Sequence, residues 1–269
     1  MTIAWRDMDR ATLDVAYSNT GAVSNVQEIA VEFERRSAAF YADCGGERDV
    51  QYGPAPRERF DFFSATQADA PTFVFLHGGY WQSQAKENFA FMAEGPLACG
   101  MNVALAEYTL APDASMTQIV AEIGRLLDFL VARGNSNLIL CGHSAGGQLT
   151  AMHRGHPGVN YALAISGLFD LEPISAGSIN DKLGLSAEEI ARYSPMRHID
   201  SGAPMVVSVG DAELPELIRH SHEYASACKA AGEHVSYVPV PGANHFSILF
   251  DLARPDGVQL SALMQAMRG

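Results

Sequence analysis

One stretch of the sequence decides the fold, and it reads LILCGHSAGGQ from residue 138 to residue 148. Its apolar start predicts a buried strand, and a helical pattern follows over 148–153. A Gly-x-Ser-x-Gly motif between a strand and a helix forces a tight turn that holds the serine in strained geometry above the sheet. Gly142 and Gly146 suit this turn, because a side chain at either position would collide with a neighbouring strand or helix. The stretch therefore predicts that Ser144 is a nucleophile, and an ordinary turn serine is the disfavoured alternative.

Similar apolar runs on both sides of this stretch predict a parallel sheet. They occupy residues 73–76, 101–106, 137–141, 161–165, 205–209 and 235–240. Each is apolar at odd and even positions alike, which is typical of strands covered on both faces. Helical patterns alternate with them at residues 89–99, 115–133, 148–153 and 215–231. Gly134 and Gly232 stand where two of these helices should end. Together with the serine motif, the alternation predicts an α/β-hydrolase fold, with a mostly parallel central sheet and helices on both faces.

Two segments depart from the alternation of strands and helices. Residues 1–70 predict an amphipathic helix within 13–42 and a hairpin of two edge strands within 48–63. Residues 168–198 hold short helical and turn pieces, which predict a small lid over the carboxyl ends of the strands, where ligands bind in such sheets. Since no linker, repeat or low-complexity tract interrupts the chain, a single domain over residues 1–269 is expected.

Composition narrows the class of protein. The chain has 269 residues, of which 48% are hydrophobic and 18% charged, as in ordinary globular proteins. A net charge of −13 argues against a nucleic-acid partner, which would select for lysine and arginine. The four cysteines are scattered and form no C-x-x-C pair, so neither zinc nor a disulfide framework is expected. No apolar segment approaches the roughly 18 residues of a membrane span, and the first ten residues lack a signal-peptide core. These features predict a cytoplasmic protein without a membrane partner.

A nucleophilic serine needs a base that an acid orients, and in this fold both follow the serine along the chain. His245 fits the base, because it lies in a polar loop after the last predicted strand. Two carboxylates, Asp211 and Glu213, follow the strand that ends before Gly210. The acid usually stands three residues beyond that glycine, which favours Glu213 and leaves Asp211 as the alternative.

The first buried strand is followed by the pentapeptide HGGYW at residues 77–81. Acyl transfer passes through an oxyanion, and each fixed donor to it is worth about two to three powers of ten in rate. Glycines allow backbone N–H groups to turn toward that oxyanion without a side chain in the way. The predicted donors are Gly78, Gly79 and Ala145. For His77 a structural hydrogen bond that fixes the loop is the favoured interpretation over catalysis.

The HGGYW segment and the polar stretch that leads from it to Phe91 and Met92 resemble the kynurenine formamidases (arylformamidases). The resemblance extends over most of the chain and includes EYTLAP at 107–112 and SGLFDL at 166–171. In a further similar segment, over 209–221, Glu213 stands where the family has an aspartate.

This resemblance implies a serine hydrolase that converts N-formyl-L-kynurenine to kynurenine and formate. Tyr80 and Trp81 would face the aromatic ring of this small-molecule substrate, and Phe246 or residues 168–169 would close over it. No cofactor is implied. No metal is expected either, because the spacing of His153 and His156 offers no third ligand nearby.

Two other functions compete with this one. A carboxylesterase that acts on short acyl or aryl esters would use the same serine, histidine and acid. A binding protein of the same fold that has lost catalysis is a weaker alternative, since candidates for all three residues are present. The sequence leaves open whether two copies form a homodimer.

Overall fold

The computed structural model describes residues 4–268, and its centre is an eight-stranded sheet. The strands are β1 (Glu47–Gln51), β2 (Arg59–Phe63), β3 (Thr72–Leu76), β4 (Asn102–Ala106), β5 (Leu138–His143), β6 (Val159–Ile165), β7 (Met205–Gly210) and β8 (Val235–Val240). Their order across the sheet is β1-β2-β4-β3-β5-β6-β7-β8. The pairs β1–β2 and β2–β4 are antiparallel, and every other neighbouring pair is parallel.

Helices precede, separate and follow these strands. They are α1 (Arg10–Ala16), α2 (Asn19–Ala22), α3 (Val26–Asp43), α4 (Glu94–Ala98), α5 (Met116–Ala132), α6 (Ala145–His153), α7 (Glu172–Ser175), α8 (Asn180–Leu183), α9 (Ala187–Tyr193), α10 (Pro215–Ala230), α11 (Ile248–Leu252) and α12 (Val258–Ala266). Short 3-10 segments lie at Trp5–Asp7, Lys86–Ala93 and Pro195–Arg197. Helix α5 begins at a capping box in which Ser115 and Gln118 bond each other's backbone N–H groups, and Gly134 follows its end with φ +99°.

The sheet is covered on both faces, which explains its continuous apolar strands. In β3, Val74 and Leu76 join a core cluster that contains Ile119 and Ile123 of α5. The alternate residues Phe73 and Phe75 join a second cluster, on the side of α3, α11 and α12. Since successive side chains of a strand point to opposite faces, both parities must be apolar here.

The six strands predicted from apolar runs are present as β3 to β8. The predicted hairpin forms as β1 and β2, but the expectation that both are edge strands is wrong: β2 also pairs with β4, so of these two strands β1 alone lies at an edge of the sheet. The predicted N-terminal helix is divided into α1, α2 and α3. Its breaks fall at Ser18 and Asn25, residue types of low helix propensity.

Residues 168–198 lie between β6 and β7 and contain α7, α8 and α9, and their role as a lid stays a prediction. Among residues 4–268, none of the helices combines the length and the apolar character that crossing a bilayer requires.

Candidate active site

Ser144 lies in the turn between β5 and α6, with φ +56° and ψ −115°. This is a strained conformation for a residue other than glycine. The turn is held close to its neighbours, since Ser144 N donates to the carbonyl of Ile165 at 2.8 Å. A Cβ atom at Gly142 would lie 2.1 Å from the carbonyl oxygen of Gly146, and one at Gly146 would lie 2.1 Å from that of Leu76. The local sequence therefore forces this serine to the end of its strand.

Glu213 and His245 come together from the loops after β7 and β8. Nδ1 of His245 lies 2.6 Å from Oε2 of Glu213, which fixes Nδ1–H as the donor when the glutamate is ionised. The other candidate acid, Asp211, instead accepts a hydrogen bond from the backbone N–H of Gly242 at 2.6 Å. The structure thus brings Glu213 to the histidine and uses Asp211 to tie the loop that carries it.

Two further donors hold the carboxylate of Glu213. Its Oε1 accepts a hydrogen bond from Ser166 Oγ at 2.5 Å and from the backbone N–H of Gly210 at 2.8 Å. Ser166 is fully buried and has φ +50°, directly after the end of β6. Sequence reasoning noted this serine only within a family motif. A polar residue at the carboxyl end of an apolar strand was the signal that could have identified it, because these ends meet at one sheet edge.

The HGGYW segment brings backbone N–H groups next to the serine. A Cβ atom at Gly78 would lie 2.9 Å from Ser144 Cβ, and Gly79 has φ +105°. Ala145 is the first residue of α6, where backbone N–H groups have no acceptor within the helix. The positive end of the helix dipole adds to the attraction for an anion at this point. The arrangement suits an oxyanion on a substrate bound at Ser144.

His77 is fully buried and holds the HGGYW segment in place through hydrogen bonds. Its Nδ1 donates to the carbonyl oxygen of Gly78 at 2.7 Å, and its Nε2 lies 2.8 Å from Glu107 Oε1. Burial opposes ionisation of Glu107, but the hydrogen bond from His77 and the nearby charge of Arg57 keep its pKa below the ordinary value. These contacts agree with the structural role expected of His77.

A cavity of about 520 Å³ lies above these groups. Of the predicted site residues, Ser144, His245, Gly78, Gly79, Tyr80 and Phe246 line it. A second part of its wall comes from the N-terminal segment, through residues that include Tyr17, Asn19, Ile29 and Phe33. Sequence reasoning missed this wall, because the amphipathic pattern of these helices showed which residues are buried but not what they face.

Trp81 was expected in the pocket, and the structure corrects this expectation. The indole is fully buried, belongs to the core and does not line the cavity, and its Nε1 donates to Gln148 Oε1 at 3.2 Å. Residues 168–169 are also buried away from the cavity, with Phe169 stacked on Tyr224 at 4.2 Å between ring centroids. Both aromatic rings complete the core rather than the pocket.

His143 is a buried polar neighbour of the serine that also lines the cavity. Its Nε2 donates to the carbonyl oxygen of His245 at 2.9 Å. Burial and the nearby His245 lower the pKa of His143 well below the usual value, so the ring stays neutral. Its Nδ1 is then a hydrogen-bond acceptor, and no group in residues 4–268 donates to it.

Within the described part of the chain, no group of three or more histidine, cysteine, aspartate or glutamate side chains is placed to hold a metal ion. His153 and His156 have separate partners: His153 Nε2 donates to the carbonyl oxygen of Val120 at 2.9 Å, and His156 Nε2 lies 3.1 Å from Asp128 Oδ1.

Comparisons with known proteins show which proteins the chain is similar to. A family model described as BD-FAE matches residues 61–160. The chain is 32% identical over 239 residues to a kynurenine formamidase of Danio rerio, with 82% of this chain and 81% of the relative covered. It is 30% identical over 232 residues to a kynurenine formamidase of Drosophila melanogaster, with 77% of each chain covered.

Solved structures share the architecture. A candidate thioesterase from Silicibacter sp. superposes with a TM-score of 0.86 at 26% identity, over 94% of this chain and 98% of that one. An esterase from Pyrobaculum calidifontis superposes with a TM-score of 0.72 at 18% identity, over 92% and 94% of the two chains. The fold is therefore that of the α/β-hydrolases.

Proposed function

The chain belongs to the kynurenine formamidase family and is a hydrolase, and we propose that it hydrolyses N-formyl-L-kynurenine to L-kynurenine and formate. The observation that carries the proposal is the 2.6 Å contact of Glu213 with His245, which lines the same cavity as Ser144 and the HGGYW glycines. This is the set of groups that acyl transfer from an amide requires.

In the first step His245 Nε2 takes the proton of Ser144 Oγ, and the oxygen attacks the formyl carbon. Glu213 keeps Nδ1 protonated and stabilises the imidazolium that forms. The carbonyl oxygen becomes an oxyanion, which the backbone N–H groups of Gly78, Gly79 and Ala145 stabilise. Because these donors are fixed by the fold, they need no reorganisation when the charge appears.

In the second step His245 returns the proton to the anilide nitrogen as the C–N bond breaks. An amide needs this protonation more than an ester does, because an amine anion is a poor leaving group. The aromatic amine leaves, and the formyl group remains as an ester on Ser144. Water, deprotonated by His245, then attacks this ester and releases formate and the free serine.

The space around the serine supports a small acyl group. Gly78 approaches so closely that even a methyl group at its α-carbon would contact Ser144 Cβ at 2.9 Å. A formyl group is the smallest acyl unit, while the cavity of about 520 Å³ offers room for an aromatic leaving group. Tyr80 and Phe246, which both line this cavity, are our candidates for contact with the aromatic ring.

A carboxylesterase is the second candidate function. The observation in its favour is the close superposition on the candidate thioesterase from Silicibacter sp., whose name denotes a thioester substrate rather than an amide. The same serine, histidine and glutamate would carry out that reaction, and only the leaving group would differ.

Initial rates on N-formyl-L-kynurenine and on p-nitrophenyl acetate test the proposal. We expect the formamide to be hydrolysed with a kcat/KM above about 10⁴ M⁻¹ s⁻¹, which is in the usual range for enzymes. Turnover of the ester with none of the formamide would reject the formamidase and favour the esterase. Failure of the purified protein to react with a fluorophosphonate probe would reject both.

A further inference from the structure

Asn19 is a buried amide in the N-terminal wall of the cavity. It is the first residue of α2, is only 5% exposed and lines the cavity that contains Ser144. Its Nδ2 donates to the hydroxyl oxygen of Tyr80 at 3.1 Å. Its Oδ1 has no hydrogen-bond donor anywhere in residues 4–268.

The hydrogen bonds of Tyr80 fix which way this amide points. Burial and the nearby charge of Glu213 raise the pKa of Tyr80 well above its usual value, so the hydroxyl keeps its proton. That proton is donated to the carbonyl oxygen of Tyr17 at 2.6 Å. The Tyr80 oxygen can therefore only accept from Asn19, which must present its NH₂ group. The carbonyl end, Oδ1, is left as a free acceptor.

The unpaired acceptors and the charges of the rest of the cavity bear on which ligand it binds. His143 contributes a second unpaired acceptor, Nδ1. The charged residues of the lining are Asp14 and Glu34, both acidic, and no lysine or arginine among residues 4–268 lines the cavity. Asp14 is already engaged by the backbone N–H of Ser178 at 2.6 Å, and Glu34 is exposed to solvent. Within residues 4–268, Asn19 Oδ1 is therefore the side-chain acceptor of the N-terminal wall that is both buried and unpaired.

A buried acceptor without a donor is costly, and a ligand that supplies the donor removes that cost. The amino-acid side chain of N-formyl-L-kynurenine carries an ammonium group with three donors and a carboxylate with none. The cavity holds two unpaired buried acceptors and, among residues 4–268, no lysine or arginine, so it favours the ammonium group and offers the carboxylate no ion pair.

We propose that Asn19 Oδ1 accepts a hydrogen bond from the ammonium group of the substrate, so that the site selects aromatic formamides that carry a cationic amine and does not require their carboxylate. This inference rests on the proposed function, and it makes Asn19 a specificity-determining residue. The chemistry at Ser144 does not depend on it.

Calorimetric binding of the reaction product tests the inference without any turnover. The ligands are L-kynurenine, its analogue with hydrogen in place of the ammonium group, and its analogue with hydrogen in place of the carboxylate. We expect the analogue without ammonium to bind about tenfold or more weakly than L-kynurenine, because one hydrogen bond to a charged group is lost. The analogue without carboxylate should bind within about threefold of L-kynurenine, a difference smaller than one net hydrogen bond.

Asn19→Ala should weaken the binding of L-kynurenine about tenfold and leave the affinity for the ammonium-free analogue unchanged, so that the two ligands bind with similar affinity. Gln27→Ala is the matched control, since it removes an exposed amide from the same wall, and it should preserve the difference between the ligands.

The inference is overturned if Asn19→Ala weakens both ligands equally, which would indicate a structural role through Tyr80. It is also overturned if the ammonium-free analogue binds as tightly as L-kynurenine, or if none of the three ligands binds. Ligand discrimination without turnover of N-formyl-L-kynurenine would reject the proposed function and retain Asn19 as an ammonium-binding residue. Turnover of N-formyl-L-kynurenine without discrimination between the ligands would retain the proposed function and reject the role of Asn19.

Discussion

Within residues 4–268, two histidine–glutamate pairs have nearly the same spacing and different surroundings. Nδ1 of His245 lies 2.6 Å from Glu213 Oε2, and Nε2 of His77 lies 2.8 Å from Glu107 Oε1. His245 lines the cavity, whereas His77 is fully buried between two aromatic rings.

The pairs differ in what the second ring nitrogen does. Nδ1 of His77 is used by the carbonyl oxygen of Gly78. Among the hydrogen bonds of the described residues, none engages Nε2 of His245, so this nitrogen is available for proton transfer. Contacts between a catalytic base and its nucleophile often tighten only when substrate binds. A carboxylate beside a histidine is thus an ambiguous sign of catalysis. The informative sign is a second ring nitrogen that has no hydrogen-bond partner and lies at a cavity.

The largest effect is expected from the pair that lines the cavity, and activity without it would contradict its catalytic role. His245→Ala should lower kcat by about a millionfold, because the serine then has no base, and Ser144→Ala should lower it equally. The rate is measured on N-formyl-L-kynurenine or, failing that, on p-nitrophenyl acetate. Thermal unfolding of both variants controls for misfolding. A loss below about a hundredfold in a folded variant would remove these residues from the mechanism.

The carboxylate of the same pair gives the next largest effect. Glu213→Gln should lower kcat by about ten-thousandfold, because the amide cannot hold the required tautomer or stabilise the imidazolium. Asp211→Asn is the matched control and should change kcat by less than about threefold, since Asp211 only binds the backbone of Gly242. The opposite order of effects would reassign the acid to Asp211.

The buried pair should respond in stability rather than in rate. Glu107→Gln removes the buried carboxylate that His77 contacts and leaves the guanidinium of Arg57 without its counter-charge, so the free energy of unfolding should fall by about 3–5 kcal/mol. Urea titration measures this change. Asp256→Asn breaks the fully exposed pair with Arg254 and should leave the urea midpoint nearly unchanged, because solvent screens such a pair. Equal losses in the two variants would contradict the assignment of a structural role to the His77 pair.

His153 is a half-buried histidine without a carboxylate partner, and its protonation can be followed through the pH dependence of stability. Burial, with a smaller contribution from His156, lowers the pKa of His153 to about 4. Between pH 6.5 and pH 4 the unfolded chain binds a proton that the folded protein does not, so stability is lost over this window as pH falls. At pH 5 this amounts to about 2 kcal/mol relative to pH 7.

The variant His153→Gln should therefore lose less stability between pH 7 and pH 5 than the unmodified protein does, as measured by urea titration at both values. His198→Gln makes the same change at an exposed position and should keep the original pH difference. An identical pH dependence for all three proteins would show that His153 is not the titrating group.

The sheet could be predicted from the sequence because a strand covered on both faces needs apolar residues at every position. The strand at 73–76 corresponds to β3, where both parities are buried. The position of β2 could not be predicted, since its alternation fits an edge strand and its partner β4 lies about forty residues away along the chain. Short-range patterns carry no information on such pairings.

Part of the site was also accessible from the sequence. The strand–turn–helix context of Ser144 and the loop positions of Glu213 and His245 depend on local sequence, and the structure brings the latter two into contact. The direction of the Trp81 ring was not accessible, because it depends on a left-handed backbone (φ +57°) and a hydrogen bond to Gln148. Asn19 was missed for a similar reason, since only the folded chain shows that its Oδ1 lacks a donor.

The two walls of the cavity are encoded in separate parts of the gene. The N-terminal wall belongs to α1, α2 and α3, which end at Asp43, before the first strand of the sheet begins at Glu47. The seam between the parts includes the packing of Phe33 on Phe91, at 4.6 Å between ring centroids. Recombination at residues 44–46 would exchange the whole N-terminal wall between relatives as one continuous segment. If the packing of Phe33 on Phe91 is kept, substrate preference would be transferred with that segment. Selection can thus change what the protein accepts while the groups proposed to break the bond, all downstream of this junction, are inherited intact.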